Sequence, residues 1–238
     1  MKWGAAELGD RNYEGSDTLE VLEGAKNYNR FLVDLIRKVA VTNSLVLDFG
    51  AGNGTIASMV APHVRELDAL EPDRLLRSRI ESNFPIKTVS GLDALSRSYS
   101  VIYLINVLEH IEEDVVLLRE LTNHLETNGK ILIYVPASPL LYSDFDRSIG
   151  HFRRYSLQSL RVALETAGFH LEEIRYLDPV GWAVALVHKV LKLGPTITPG
   201  QMWFFDRLLF PISRRLSKPF GKVFGKNLVS VATLKSKA

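Results

Sequence analysis

The chain has 238 residues, of which 46% are apolar and 24% charged, with a formal net charge of +2 and no cysteine. These are the proportions of one large globular domain, or of a domain with an appended part, and not of a mostly disordered chain. They exclude disulfides, thiolate nucleophiles, cysteine zinc sites and iron–sulfur clusters, and the net charge is too small to argue nucleic acid as a partner.

Residues 1–44 read as an N-terminal helical extension, with a helical pattern over Leu19–Ala40 and no apolar leader before it. Short apolar runs follow at Leu45–Phe49, Glu66–Leu70, Ile86–Val89, Val101–Ile105 and Ile131–Val135. Continuous runs of this length suit strands covered on both faces, as in a parallel sheet. Helices are predicted between them over Thr55–Val64, Asp73–Asn83 and Asp114–Leu125. The third carries Val115, Leu118, Leu121 and Leu125 at helical spacing, acids at its start and Gly129 beyond its end. Another helix is predicted over Ser156–Ala167, with Ser156 as N-cap and Gly168 as stop, before a strand over Leu171–Tyr176.

Residues 178–227 separate that strand from the last one, Leu228–Leu234, a connection far above the usual length. It is rich in Trp, Phe and Pro. From Lys189 to Lys237 the chain carries Lys192, Arg207, Arg214, Arg215, Lys218, Lys222, Lys226 and Lys235 against a single acid, Asp206. Its longest apolar stretch, Val180–Val187, falls well short of the roughly 20 residues that span a bilayer. Two readings of this segment stand: a helical subdomain that walls an acceptor pocket, or a peripheral element touching a membrane through its aromatic and basic side chains. The strand–helix alternation predicts an α/β, doubly wound fold, with a core over 45–177, a helical insertion over 178–227 and a final core strand in 228–238.

The stretch after the first strand holds Gly50, Gly52 and Gly54. In an open parallel sheet, ligands sit beyond the C-terminal strand ends. Glycine there permits positive φ and lets a ligand touch main chain, beside the free N–H groups of the next helix. The third glycine comes one residue earlier than in a dinucleotide fingerprint, and no G-K-[ST] is present, which excludes a P-loop. Glu71, seventeen residues after Gly54, ends the second strand, where a carboxylate can accept both hydroxyls of a ribose. The combination fits a ribose ligand without a diphosphate.

"LDFGAGNG", "LEPD", "INVLEHIEED" and "NGKILIYVPA", in that order, resemble the successive motifs of class I S-adenosylmethionine-dependent methyltransferases, over roughly residues 30–177 and the final strand. "VPASPLLYSDFDRSIGHFRRYS" is similar to a bacterial subgroup associated with surface polysaccharide or lipid-linked glycan metabolism. The resemblance implies a mostly parallel, seven-stranded, Rossmann-like methyltransferase sheet with a helical insertion before the last strand. It implies S-adenosyl-L-methionine as cofactor and S-adenosyl-L-homocysteine as product. Gly50, Ala51 and Gly52 would pass the methionine part, with Asp48 beneath the loop. Glu71 would take the ribose hydroxyls and Pro72 would lie against the adenine. Leu92 or Asp93 would reach the adenine amine, and Asn106 and Val107 would border the transferable methyl.

For the chemistry, His110 follows the fourth strand beside the expected methyl, and histidine is the side chain best poised as a base at neutral pH. Glu109 adjoins it; the pair could instead only begin a helix. The loop after Pro136 adds Asp146, His151, Arg153 and Arg154, as a base and as an anion clamp or as an ion-pair network. His63, His124, His170 and His188 read as structural or surface residues. A divalent cation on Glu109, His110 and Glu113 is the lesser alternative, and no metal site is assigned. The expectation is O-methylation of a small molecule, a glycan or a lipid-linked acceptor. The protein is expected in the cytoplasm, with peripheral contact at the inner face of the membrane through 178–227 as a further expectation. No nucleic acid is expected as substrate, since "NVLE" stands where an N-P-P-[YF] tetrapeptide would. A nicotinamide-dependent oxidoreductase and a non-catalytic cofactor- or membrane-binding module stay open as alternatives.

Overall fold

The computed structural model describes residues 23–191 and 198–234. Most of the expected N-terminal extension, together with Lys192, Lys235 and Lys237, lies outside the described residues. Seven strands form one sheet in the order β3-β2-β1-β4-β5-β7-β6: β1 Leu45–Phe49, β2 Glu66–Leu70, β3 Lys87–Val89, β4 Tyr99–Ile105, β5 Leu125–Pro136, β6 Phe169–Leu177 and β7 Asn227–Leu234. All pairings are parallel except those of β7, which runs antiparallel to both β5 and β6.

Helices cover both faces, which is why the central strands are apolar on alternate and on successive positions alike. In β1, Leu47 and Phe49 pack with Leu117, Leu118 and Leu121 of α4 (Asp114–Thr122) and Leu160 and Leu164 of α6 (Leu157–Thr166). Val46 points the other way, into a second core with Phe31, Leu32, Leu35 and Ile36 of α1 (Lys26–Arg37), Ala57 and Val60 of α2 (Thr55–Val60) and Ile80 of α3 (Arg74–Asn83). Truncating a fully buried member such as Ile102 to Ala would cost about 2–5 kcal/mol.

Several element ends differ from the expectation, and two of the differences have a plain cause. The helix over 114–125 stops at Thr122, because Leu125 pairs with Tyr99 as the first residue of β5, and the ladder resumes at Lys130 opposite Val101. The helix that starts at Thr55 ends at Val60; a 3-10 turn, Ala61–His63, follows with Pro62 inside it, a residue that cannot donate to a continuing helix.

Between β6 and β7 the chain forms α7 (Pro179–Val190), α8 (Pro199–Phe204), a π-helical turn (Phe205–Leu209) and α9 (Phe210–Phe220). Asp178, at positive φ, caps α7 through Gly181 and also accepts from the Ser213 hydroxyl of α9 at 2.5 Å, which ties the two helices at their base. Asp206, on the π-helical turn, accepts from the backbone N–H groups of Asn27 and Tyr28 at 3.0 and 2.8 Å. It thereby caps α1, whose own N-cap residue, Ala25, has no side chain to offer. Among the described residues no helix is long and apolar enough to cross a membrane.

Candidate active site

After β1 the chain bends through Gly50, Gly52 and Gly54, all at positive φ (+78°, +57° and +80°). The bend is pinned to the neighbouring strand, because Gly50 and Ala51 donate to the carbonyl of Leu70 at 2.8 and 3.1 Å. It is also pressed against the end of β4: a Cβ on Gly50 would lie 2.6 Å from Cγ2 of Val107. Only glycine satisfies both conditions. Glu71 closes the cradle. Its carboxylate accepts from the backbone N–H groups of Gly52 at 2.7 Å and Asp73 at 2.9 Å, which leaves lone pairs on both oxygens for a ligand's hydroxyls.

Asp48, Gly50, Ala51, Gly52, Glu71 and Pro72 all line one cavity of about 730 Å³. Burial is the main cause that raises the Glu71 carboxyl to about 7, against the two N–H donors. Burial likewise raises Asp48 to about 7, with the Glu71 charge adding to it and the Tyr103 hydroxyl opposing it. Leu92 and Asp93 do not line the cavity: Leu92 packs in the first core and Asp93 is exposed.

A further part of the cavity wall is built where β4 stops. Asn106 takes a left-handed conformation at φ +53° and holds the strand end by donating to the Tyr134 carbonyl. That turn brings Val107, then the 3-10 segment Leu108–His110, to the cavity wall beside Asn106. The 143–155 loop, which carries the short helix α5 (Asp144–Ser148), folds onto this segment, with Phe152 N–H on the Glu109 carbonyl at 2.8 Å. Asp146 organises the loop from a fully buried position. One carboxylate oxygen accepts from Ser143 N–H and hydroxyl at 2.9 and 3.1 Å; the other meets His151 Nδ1 at 2.9 Å and Arg154 Nε at 2.8 Å. Burial alone would raise this carboxyl, but His151 and Arg154 outweigh it and hold it at about 2. An ionised Asp146 accepts from Nδ1–H of His151, which leaves Nε2 facing Glu109 Oε1, 3.7 Å away.

Glu109, His110, His151 and Arg154 line the cavity, whereas Asp146 sits behind them. Glu109 is fully buried, neither of its carboxylate oxygens has a hydrogen-bond partner, and burial raises it to about 8. Burial, with His151 beside it, lowers His110 to about 4; the two imidazoles meet edge to face at 4.6 Å. Arg153 turns away, onto Asp114 at 3.1 Å and the Glu112 carbonyl at 2.6 Å, and Glu113 is exposed.

The remaining wall comes from residues that sequence reasoning did not single out as site residues: Tyr28 of α1, Phe205 and Asp206 of the π-helical turn, and Asp178, Lys226 and Asn227 at the stem of the insertion. Burial, with Arg154 adding to it, lowers the Lys226 ammonium, which Asp178 opposes; its side chain lies over the Phe205 ring at 5.9 Å. The one signal that could have found any of them was Asp206, a lone acid in a cationic run.

A cradle of positive-φ glycines and a strand-end carboxylate, at the C-terminal edge of a seven-stranded sheet with β7 reversed, defines a nucleoside-binding α/β enzyme. The family model described as "Methyltransferase domain" matches residues 24–174. The chain belongs to this family: it is a methyltransferase that uses S-adenosylmethionine, and the nicotinamide reading gives way. A search of curated protein sequences returns no match.

Solved structures share the fold at identities that speak for the fold alone. A SAM-dependent methyltransferase from Archaeoglobus fulgidus superposes with a TM-score of 0.59 at 15% identity, over 88% of this chain and 94% of that one. A TehB-like SAM-dependent methyltransferase from Corynebacterium glutamicum gives 0.55 at 18%, over 85% and 86%. The [4+2]-cyclase SpnF gives 0.60 at 14%, over 88% and 81%.

Proposed function

We propose that the protein transfers the methyl group to an oxygen of its acceptor, presented at the Glu109–His110–His151 corner of the cavity. The observation that carries this reading is the pair of buried Glu109 oxygens without a hydrogen-bond partner, in the wall of the same cavity that the Glu71 cradle lines. An uncompensated polar pair is costly unless a ligand engages it. When bound, S-adenosylmethionine supplies a sulfonium-activated methyl for in-line displacement.

The chain's own residues do the rest. Glu71 and the glycine bend orient the nucleoside, Asp48 faces the methionine part, and Val107 walls the line of approach. Alignment and exclusion of water are the main contributions here. In its ionised form Glu109, raised to about 8, is a stronger base than His110, lowered to about 4, and from that form it takes the proton of an acceptor hydroxyl. Asp146 holds His151 and Arg154 in place, and Arg154 offers its guanidinium edge to the acceptor.

Within the small-molecule, glycan and lipid-linked classes, the surface of the insertion favours a lipid-linked acceptor. Trp203, Phe204, Leu208, Ile212, Phe220 and Val223 are all exposed, among the exposed cations Arg207, Arg215, Lys218 and Lys222. The only acids of the segment, Asp178 and Asp206, are both buried. An aromatic and cationic face of this kind suits the headgroup zone of an anionic membrane, reached from the cytoplasmic side. The segment 178–227 thus serves both as pocket wall and as membrane contact.

The test is incubation with methyl-labelled cofactor and fractionated cell extract. Label in a lipid-linked pool, released by mild acid but not by base treatment that cleaves methyl esters, supports the reading; label on nitrogen or carbon, or none from protein that still binds S-adenosylhomocysteine, overturns it. Flotation with phosphatidylglycerol vesicles tests the surface: wild type floats and Trp203→Ala/Phe204→Ala stays behind, whereas wild type that never floats refutes the contact.

A further inference from the structure

The same corner carries an arrangement that proton transfer alone does not use. One ligand atom each from Glu109, His110 and His151 lies within 4.8 Å of the others. Glu109 brings two buried oxygens without a hydrogen-bond partner. His151 brings Nε2, whose direction is fixed by the Nδ1–Asp146 hydrogen bond of 2.9 Å, the arrangement that orients histidine ligands in metal sites. The three come from two segments, the 3-10 turn after β4 and the 143–155 loop, joined by the Phe152 N–H donating to the Glu109 carbonyl at 2.8 Å; the Tyr142 hydroxyl, donating to the His151 carbonyl at 2.7 Å, holds His151 in the loop.

We propose that Glu109, His110 and His151 bind one divalent first-row transition metal ion, with Asp146 as the outer group that positions His151. Two imidazoles and one carboxylate select Mn²⁺, Fe²⁺, Co²⁺ or Zn²⁺ over Mg²⁺ and Ca²⁺, which take oxygen ligands. Ligand bonds of about 2.0–2.2 Å place tetrahedral ligand atoms about 3.4 Å apart. The Glu109–His151 pair, at 3.7 Å, is close to that spacing, and the widest pair has to draw in by roughly an ångström. Three protein ligands would leave coordination positions open to an acceptor oxygen. A bound ion would supply Lewis acidity that acidifies the acceptor hydroxyl, its proton passing to solvent, so Glu109 would serve as ligand with the ion and as base without it.

The site lies at the acceptor end described above and deepens that reading, but its test does not depend on methyl transfer. Purified protein, stripped with chelator, is titrated with MnCl₂ followed by electron paramagnetic resonance, and with ZnCl₂ by calorimetry. Wild type is expected to take up one equivalent. Glu109→Gln and His151→Ala are expected to weaken binding at least 100-fold while S-adenosylhomocysteine still binds within fivefold, which shows an intact fold. His110→Ala is expected to weaken binding at least tenfold. No uptake at 1 mM metal, or uptake that survives Glu109→Gln and His151→Ala, overturns the site and leaves the methyltransferase assignment intact. Should His151→Ala fail to fold, Glu109→Gln with the His110 variant decides the same question.

Discussion

Replacing Gly50 with alanine tests the cradle with a single carbon atom. At φ +78° an L-residue is strained by about 1–2 kcal/mol. The added Cβ would also stand 2.6 Å from Cγ2 and 3.0 Å from Cγ1 of Val107, an overpacking worth about 1–3 kcal/mol. Together these make about 2–5 kcal/mol, concentrated on the bend that must touch the cofactor; if the bend yields instead of the whole fold, the dissociation constant for S-adenosylhomocysteine rises by roughly 30- to 4,000-fold. Calorimetric titration measures it, with thermal melting to show that the variant is folded. Val107→Ala in the same chain removes both γ carbons that the new Cβ meets, so the double variant should recover the packing part, roughly 5- to 150-fold, and keep the backbone part. Folded Gly50→Ala that binds within threefold of wild type, or a double variant with no recovery, would refute the claim that the bend is held between Val107 and the ligand.

Glu71→Gln puts an amide NH₂ opposite one of the N–H donors of Gly52 or Asp73 and removes the charge from the ribose contacts; a loss of about 2–4 kcal/mol in S-adenosylhomocysteine binding is expected by calorimetry, some 30- to 1,000-fold. The same carboxyl sets a pH dependence. Asp48 and Glu71 sit at about 7 in the folded protein, above their ordinary values, so the folded state holds extra protons between about pH 4 and pH 7 and its stability in the absence of ligand falls as pH rises through that window. Ligand hydroxyls and an ammonium group need the anions, so affinity for S-adenosylhomocysteine should rise from pH 5.5 to 8 with net proton release, read from heats in buffers of different ionisation enthalpy. A flat profile would contradict it. Asp146→Asn leaves Arg154 and His151 without their buried counter-charge, at a cost of about 3–5 kcal/mol and a melting temperature lower by roughly 6–20 °C, while S-adenosylhomocysteine affinity stays within fivefold.

What the sequence discloses follows from where the forces are local. The apolar runs over Leu45–Phe49 and Glu66–Leu70 are strands with those bounds, because a short run covered on both faces has no other use in a chain of this composition. Leu125 is the counter-case. Its spacing continues α4, but pairing with Tyr99 decides its conformation, and nothing near it in sequence announces that partner. The same divide runs through the site. The cradle lies within a few residues of two strand ends and is readable from "GAGNG" and "LEP". Its outer wall is assembled from Tyr28, Asp178, Asp206 and Lys226, residues up to almost two hundred positions apart, and a buried acid such as Asp206 looks like a solvated one until its N–H partners are known. The metal alternative shows it most sharply: neighbours along the chain suggest Glu113, whereas the folded loop supplies His151.

The stem of the insertion has a consequence for how such a protein can change. Lys226 N–H donates to the Asp178 carbonyl at 3.1 Å, Ala137 N–H donates to Lys226, and Tyr176 N–H donates to Gly221 at 2.7 Å, so the excursion leaves the sheet and rejoins it at nearly one point. With its ends stitched together, the length and content of what lies between have only a logarithmic effect on closure entropy. The stretch from 179 to 225 can therefore vary in length at little entropic cost: a different set of helices grafted onto the same two anchor residues would keep the strand register if it also replaced the Asp206 cap on α1 and the Phe210 packing in the second core, and would bring a new choice of acceptor with it.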